Sequence, residues 1–217
     1  MNDKKISRYP VPDINELPDD LRDRILGVQE KAGFVPNVFL TLAHRPEECR
    51  AFFDYHDALM FREGGLSKAE KEMIVVSTSG ANHCQYCVVA HGAILRIYAR
   101  DPLVADQVAI NFRKADITAR QTAMLRFADK VAQDSAALEE QDYEVLRDHD
   151  FSDEDIWDIG AITAFFALSP LHRQHRPALT CSLAKTVLQD SHQFTGANSR
   201  RASPCSMNFV KNHWFHL

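Results

Sequence analysis

Apolar residues recur at helical spacing along most of the first 168 residues of the chain. Leu21, Ile25 and Val28, for example, lie at positions i, i+4 and i+7, which fall on one face of an α-helix. No segment shows the sustained alternation of apolar and polar residues that is typical of a half-buried strand. The pattern therefore predicts an all-α fold with about eight helices.

Capping residues and helix breakers locate the ends of these helices. Ser67 and Glu70 have the spacing of a capping box, which predicts a helix start. We expect this helix to end before Gly80, and we expect Asn82 to cap the next helix, roughly 83–98, which contains two cysteines. The other predicted helices cover residues 19–32, 46–60, 101–112, 119–134, 139–149 and 152–168.

Composition narrows the classes of protein and partner. The chain has 217 residues, of which 45% are hydrophobic, and this fits one globular domain with a core. A formal net charge of -5 argues against nucleic acid or an anionic membrane as a partner. The N-terminus lacks the apolar core of a secretory signal, and no stretch approaches the ~20 apolar residues of a membrane span. A cytoplasmic protein is expected.

The charge changes sign near the C-terminus. Residues 1–170 hold 19 Lys+Arg and 29 Asp+Glu, whereas residues 171–217 hold 6 and 1. The C-terminal part is polar and unpatterned apart from one possible helix at 178–189. We therefore predict a helical domain over residues 1–169 and a weakly ordered extension over residues 170–217.

Cys84, Cys87 and His91 form the most specific chemical pattern in the chain. On a helix, positions i, i+3 and i+7 share one face, so the three side chains are expected to converge. The thiolate is the reactive form of cysteine, and both a helix N-terminus and a nearby imidazole favour it. A CxxC pair in an intracellular chain points to redox chemistry or metal binding. Glu72, on the preceding helix, can reach this face if the two helices pack antiparallel, and it can then relay a proton or orient His91.

Three explanations of this pattern stay open at the level of the residues. The first is a thiol enzyme that reduces a peroxide through a sulfenic acid and a disulfide. The second is a non-catalytic redox-sensing or binding module. The third is a small zinc site that uses Cys84, Cys87 and His91, although a closed structural zinc site normally has four ligands. The haem attachment motif is absent because Val88 follows the second cysteine.

Several other conspicuous residues are expected to be structural or incidental. We predict a packed side chain for His56, core positions for Trp157, Phe165 and Phe166, and no chemical role for Cys49, Cys181 and Cys205.

The segment LSKAEKEMIVVSTSGANHCQYCVVAHGA (66–93) resembles the active-site region of AhpD-like alkylhydroperoxidases, in the peroxidase-related branch of the carboxymuconolactone decarboxylase superfamily. The resemblance covers roughly residues 8–169 and also includes the segments GFVPNVFLTLAHRP (33–46), DPLVADQVAINFRKAD (101–116) and FSDEDIWDIGAITAFFALS (151–169).

The resemblance implies an all-helical fold and a role for each residue of the motif. Glu72 is implied as a proton relay, Cys84 as the resolving cysteine, Cys87 as the cysteine that attacks the hydroperoxide, and His91 as the general base. It also implies catalysis by a redox-active Cys84–Cys87 disulfide without another cofactor. A thioredoxin-like or lipoyl-bearing thiol donor and a homo-oligomer, a trimer or hexamer, are the implied partners.

The chain departs from the family pattern at two places. Tyr86 stands where the best-studied members carry a histidine, which affects the expected proton relay. After AFFALS the family continues with an asparagine-arginine pair and a final helix, whereas this chain reads PLHRQHRPALTC. We therefore hypothesise a frameshifted or divergent C-terminus that lacks this last helix.

Overall fold

A computed structural model of the chain describes Ser7, residues 9–33 and residues 35–168. In that part it contains nine α-helices and no β-strand, which confirms the all-α prediction. The helices are α1 (Asp19–Ala32), α2 (Asn37–Leu42), α3 (Pro46–Met60), α4 (Lys68–Ala81), α5 (Gln85–Ala99), α6 (Val104–Asn111), α7 (Ala119–Asp134), α8 (Glu140–Arg147) and α9 (Asp153–Leu168). Short 3-10 turns lie at Ile14–Glu16, Phe112–Lys114 and Ser135–Ala137. None of the described helices is long and apolar enough to cross a membrane.

The described residues divide into two compact units, one up to Asp57 and one from Ala58 onward. The first unit has its own apolar core, in which the predicted inner face of α1 is buried. The main members of this core are Leu21, Ile25, Val28, Val38, Phe39, Leu42, Cys49 and Phe53. The predicted tail, the possible helix at 178–189 and the hypothesised loss of a final helix all lie outside the described residues, so they stay predictions.

Helix α4 is the centre of the second unit, where it packs against α5, α6, α7 and α9. Its apolar run from Met73 to Val76 is completely buried, as a helix surrounded by others requires. The helix begins at the predicted capping box: the Ser67 hydroxyl accepts from the Glu70 amide, and the Glu70 carboxylate accepts from the Ser67 amide. The sequence signal for this helix start is confirmed.

The predicted end of α4 is wrong, because the helix continues through Gly80 to Ala81. A Cβ built on Gly80 would lie 2.6 Å from the backbone oxygen of Ala109 on α6, far closer than carbon and oxygen tolerate. The glycine therefore permits close packing of two helices and does not break α4. Sequence alone does not distinguish these two uses of a glycine.

The prediction that Asn82 caps α5 is also wrong. Asn82 is the C-cap of α4, and its side-chain amide donates to the Thr78 carbonyl at 3.0 Å. The N-cap of α5 is Cys84, so the first cysteine precedes the helix and only Cys87 lies within it. Asparagine suits either end of a helix, and here the two-residue extension of α4 decides which end it caps.

Helix α2 was not predicted from the sequence. It has only six residues, follows directly on Pro36, and lies in a region where Gly33 and Pro36 indicate a break. Four of its residues, Val38, Phe39, Thr41 and Leu42, are buried. Helices this short are stabilised by tertiary packing, which local sequence signals do not report.

Trp157 is not a core residue, because 70% of its surface is exposed. On α9 the buried residues Ile156, Ile159 and Ile162 form the inner face, and Trp157 lies outside it. The other two aromatic residues predicted for the core, Phe165 and Phe166, are buried as expected. A helix with apolar residues on several faces gives no clear signal about which face is buried.

Candidate redox site

A tight turn between α4 and α5 places Cys84 at the start of α5. His83 adopts a left-handed conformation with φ 52°, and the Cys84 amide donates to the Ser79 carbonyl at 2.9 Å. Cys84 is the N-cap of α5, and its own side chain makes no capping hydrogen bond. Cys87 occupies the third helical position, so both sulfur-bearing residues lie at the positive end of the helix dipole.

Cys84 and Cys87 are joined by a disulfide, with their Cα atoms 5.4 Å apart. This separation lies within the range of ordinary disulfides. Both residues are buried, with 7% of Cys84 and 3% of Cys87 exposed. The structure therefore represents the oxidised form of the predicted pair and shows that the two sulfurs can bond without unfolding the turn.

His91 and Glu72 form the second half of the site. His91 Nδ1 lies 2.9 Å from Glu72 Oε2, and both side chains are largely buried. The contact joins α5 to α4, as expected from an antiparallel packing of these helices. An ionised carboxylate only accepts hydrogen bonds, so the bond assigns the proton to Nδ1 and leaves Nε2 as the acceptor of the neutral ring.

The Cys84–Cys87 disulfide and the Glu72–His91 hydrogen bond lie on one side of α5, because Cys87 and His91 are four residues apart in that helix. The structure thus brings all four predicted site residues into the α4–α5 pair. Two are joined by a covalent bond and two by a hydrogen bond.

Two aromatic residues adjoin the site without having been assigned to it from the sequence. The edge of the Phe166 ring, on α9, contacts His91 with ring centroids 4.9 Å apart. On α5, burial and the neighbouring Glu72 carboxylate both raise the pKa of Tyr98. Tyr98 follows His91 by seven residues, so helical spacing was a usable signal for it. Phe166 is distant in sequence and had no such signal.

Among the described residues, no group of three or more histidine, cysteine or acidic side chains is arranged to hold a metal ion. The sulfurs of Cys84 and Cys87 are committed to each other in this form, and a disulfide sulfur is not the thiolate that zinc binds. Cys49 is the free cysteine of the described chain, and burial raises the pKa of its thiol to about 11. The Cys49 thiol therefore stays protonated at neutral pH. Cys181 and Cys205 lie outside the described residues.

Comparison with known proteins supports the resemblance seen in the sequence. The family model described as "Carboxymuconolactone decarboxylase family" matches residues 46–134. A crystal structure of an alkylhydroperoxidase AhpD core, an uncharacterized peroxidase-related protein from Ralstonia eutropha JMP134, is 70% identical. It covers 76% of this chain and 87% of its own, with a TM-score of 0.73. No curated protein matches the chain significantly.

Two further solved structures extend this comparison. An uncharacterized peroxidase-related protein from Silicibacter sp. TM1040 is 40% identical over 82% of this chain and 95% of its own, with a TM-score of 0.74. The debrominase Bmp8, in complex with 2,3,4-tribromopyrrole, is 20% identical over 83% of this chain and 99% of its own, with a TM-score of 0.64. At that identity, the likeness to the debrominase concerns the fold alone.

Proposed function

Because the chain belongs to the AhpD-like group of the carboxymuconolactone decarboxylase family, we propose that it is a thiol-dependent peroxidase that reduces organic hydroperoxides. The observation that carries the proposal is the Cys84–Cys87 disulfide next to a hydrogen-bonded His91–Glu72 pair. A pair of cysteines that can close a disulfide supplies the two electrons that reduction of a peroxide requires.

In the first step, His91 takes the proton of the Cys87 thiol through Nε2, while Glu72 holds Nδ1–H. The Cys87 thiolate attacks the terminal oxygen of the hydroperoxide, and the O–O bond breaks. Cys87 becomes a sulfenic acid, and the alkoxide takes a proton from His91 to leave as an alcohol. The position of Cys87 in the first turn of α5 supports this role, because the helix dipole favours the thiolate.

In the second step, the Cys84 sulfur attacks the sulfenic sulfur of Cys87. The S–S bond forms, the S–O bond breaks, and the hydroxide combines with the proton released from Cys84 as water. The buried, bonded positions of the two sulfurs support this closure. A dithiol donor, thioredoxin-like or lipoyl-bearing, then returns two electrons and two protons to the pair.

The proposal extends to the setting of the reaction. We propose a homo-oligomer, a trimer or hexamer, that works in the cytoplasm without a metal or organic cofactor. Tyr86 lies between the two cysteines on the first turn of α5. The best-studied members of the family carry a histidine at this position, which could relay a proton. The His91–Glu72 pair is therefore proposed as the proton relay of this chain.

The experiment that tests the proposal exposes the reduced protein to a limiting amount of cumene hydroperoxide and then labels free thiols. Peptide mass spectrometry reports Cys84 and Cys87 separately from the other cysteines. We expect both thiols to be lost in the wild type and none to be lost in Cys87→Ser. In the matched variant Cys84→Ser, a sulfenic acid at Cys87 should persist and react with a 1,3-dione trap.

Turnover separates the enzyme from a redox sensor. With excess dithiothreitol, which re-reduces the disulfide in either case, an enzyme forms alcohol many times faster than dithiothreitol alone does, whereas a sensor adds little to that background rate. Survival of both thiols in the presence of peroxide would show that the chain is not a peroxidase. Loss of Cys84 alone in Cys87→Ser would instead assign the attack to the other cysteine.

A further inference from the structure

Two hydroxyl groups near the end of α4 are buried and make no hydrogen bond to any described residue. Thr78 and Ser79 are at most 1% exposed, and within the described residues neither hydroxyl has a hydrogen-bond partner. A buried polar group without a partner destabilises a protein, so such groups are rare and call for a physical reason. The two hydroxyls are adjacent in sequence but lie on different faces of α4.

Ser79 lies on the face of α4 that carries the site. It follows Glu72 by seven residues, or two helical turns, so the two side chains project from the same side. That side faces α5, since Glu72 bonds to His91 there. The backbone of Ser79 also touches the cysteine pair directly, because its carbonyl accepts from the Cys84 amide at 2.9 Å. Thr78 lies about a third of a turn away from Glu72 around the helix.

We propose that the Ser79 hydroxyl donates a hydrogen bond to the thiolate of Cys84 in the reduced protein, an inference that rests on the proposed peroxidase cycle. A thiolate accepts hydrogen bonds well, whereas a disulfide sulfur is a weak acceptor. In the oxidised structure the hydroxyl has no hydrogen-bond partner among the described residues, and opening the S–S bond frees the Cys84 sulfur to move and accept from it.

The bond serves the resolving step of the cycle. Cys84 must attack as a thiolate: its electron pair forms the S–S bond to the Cys87 sulfenic sulfur, and hydroxide leaves and is protonated to water. A donor hydroxyl lowers the pKa of Cys84 and increases the fraction of thiolate at neutral pH. The N-terminus of α5 acts in the same direction, because Cys84 is its N-cap and the positive end of the helix dipole attracts a negative charge.

The test measures the pKa of Cys84 without any peroxide. In a Cys87→Ser background the pair cannot close, and the rate at which iodoacetamide alkylates Cys84 is followed by peptide mass spectrometry across pH. Ser79→Ala should raise the pKa of Cys84 by about one unit, since a hydrogen bond to a charged group is worth about that much. Ser79→Thr, which keeps the hydroxyl, should remain near the parent value.

Thr78→Val is the matched control, because it removes an equally buried hydroxyl, likewise without a partner in the described part of the chain, from another face of α4. It should leave the pKa of Cys84 unchanged. Equal pKa values in the Ser79→Ala variant and its parent, or equal shifts in Ser79→Ala and Thr78→Val, would overturn the proposal. Since no peroxide is used, this result is independent of whether the protein turns over hydroperoxides.

A second measurement uses the protein with both cysteines of the pair. The equilibrium between the Cys84–Cys87 disulfide and dithiothreitol should shift toward the disulfide in Ser79→Ala, by up to about tenfold at a pH where Cys84 is ionised, because the released thiolate has lost its donor. Thr78→Val should show the parent equilibrium. An unchanged equilibrium in Ser79→Ala would also contradict the proposal.

Discussion

At the residue scale, the hydrogen bond between Glu72 and His91 determines which imidazole nitrogen is available for proton transfer. Glu72→Gln keeps the shape of the side chain but removes its charge. We expect the rate of Cys87 oxidation by hydroperoxide to fall about tenfold or more, because the imidazolium that forms during the reaction loses its carboxylate partner. Stopped-flow measurement of the oxidation rate tests this prediction.

Glu154→Gln provides the matched control for this experiment. Glu154 likewise bonds to a nitrogen-bearing side chain, that of Arg62, but it is exposed in the first turn of α9. Its substitution should leave the oxidation rate at the wild-type value. If Glu72→Gln reacted as fast as Glu154→Gln, the carboxylate would have no part in the proton relay.

Cys49 supplies a prediction about the pH dependence of stability. Burial raises the pKa of its thiol from 9.0 to about 11. Between these two pH values the unfolded chain has lost a proton that the native chain still holds, so the free energy of unfolding falls as pH rises. We expect Cys49 to account for a loss of about 2 kcal/mol over that window.

Urea titrations of the wild type and of Cys49→Ala at several pH values measure this contribution. The variant should lose less stability than the wild type between pH 9 and about 11. The two proteins should have parallel pH dependence at neutral pH, where the thiol is protonated in both states. Parallel curves over the whole alkaline range would contradict a raised thiol pKa.

At the scale of elements, the packing of α4 on α6 depends on a glycine. A Cβ on Gly80 would lie 2.6 Å from the Ala109 carbonyl oxygen, and backbone atoms cannot easily give way. We expect Gly80→Ala to lower the free energy of unfolding by about 1–3 kcal/mol, the usual cost of overpacking. Thermal and urea unfolding measure this loss.

Gly160→Ala is the matched control within the same unit. Gly160 lies inside α9, and an added Cβ there meets none of the described residues within 4 Å. Alanine is the better helix former, so this variant should be more stable by up to about 1 kcal/mol. A Gly80→Ala protein as stable as Gly160→Ala would show that α4 and α6 can separate without loss.

The start of α4 was more predictable than its end. The capping boxes at Ser67 and Thr118 each combine two side chain–backbone bonds within four residues, so the local sequence contains the whole signal. The end of α4 depends instead on a partner helix that Gly80 allows to approach. The N-cap role of Cys84 follows from this two-residue extension of α4, and no local pattern reports it.

At the scale of the whole molecule, assembly is the main proposal to test. Two large apolar side chains of the second unit, Ile110 at 85% and Leu103 at 60%, are exposed and lie seven residues apart at α6. Exposed apolar side chains on one face are typical of a surface that a partner covers. We expect light scattering to give three or six times the chain mass of 24.6 kDa.

Ile110→Ser should shift the measured mass toward a smaller species, because it removes apolar area from that face. Val145→Ser, at a less exposed position on α8, serves as the control and should keep the wild-type mass. A wild type that scatters as a single chain at all concentrations would contradict the proposed oligomer.

Sequence alone determined the all-α class, most helix starts and the CxxC–His pattern, because these depend on spacing within one helix or one turn. The Glu72–His91 bond was anticipated only as a possibility, since it requires a particular packing of two helices. Only the tertiary structure decided that Trp157 is exposed, that Phe166 borders His91 and that the buried Ser79 hydroxyl has no partner among the described residues. These features depend on which helices surround a side chain, and that is a property of packing between segments distant in the chain.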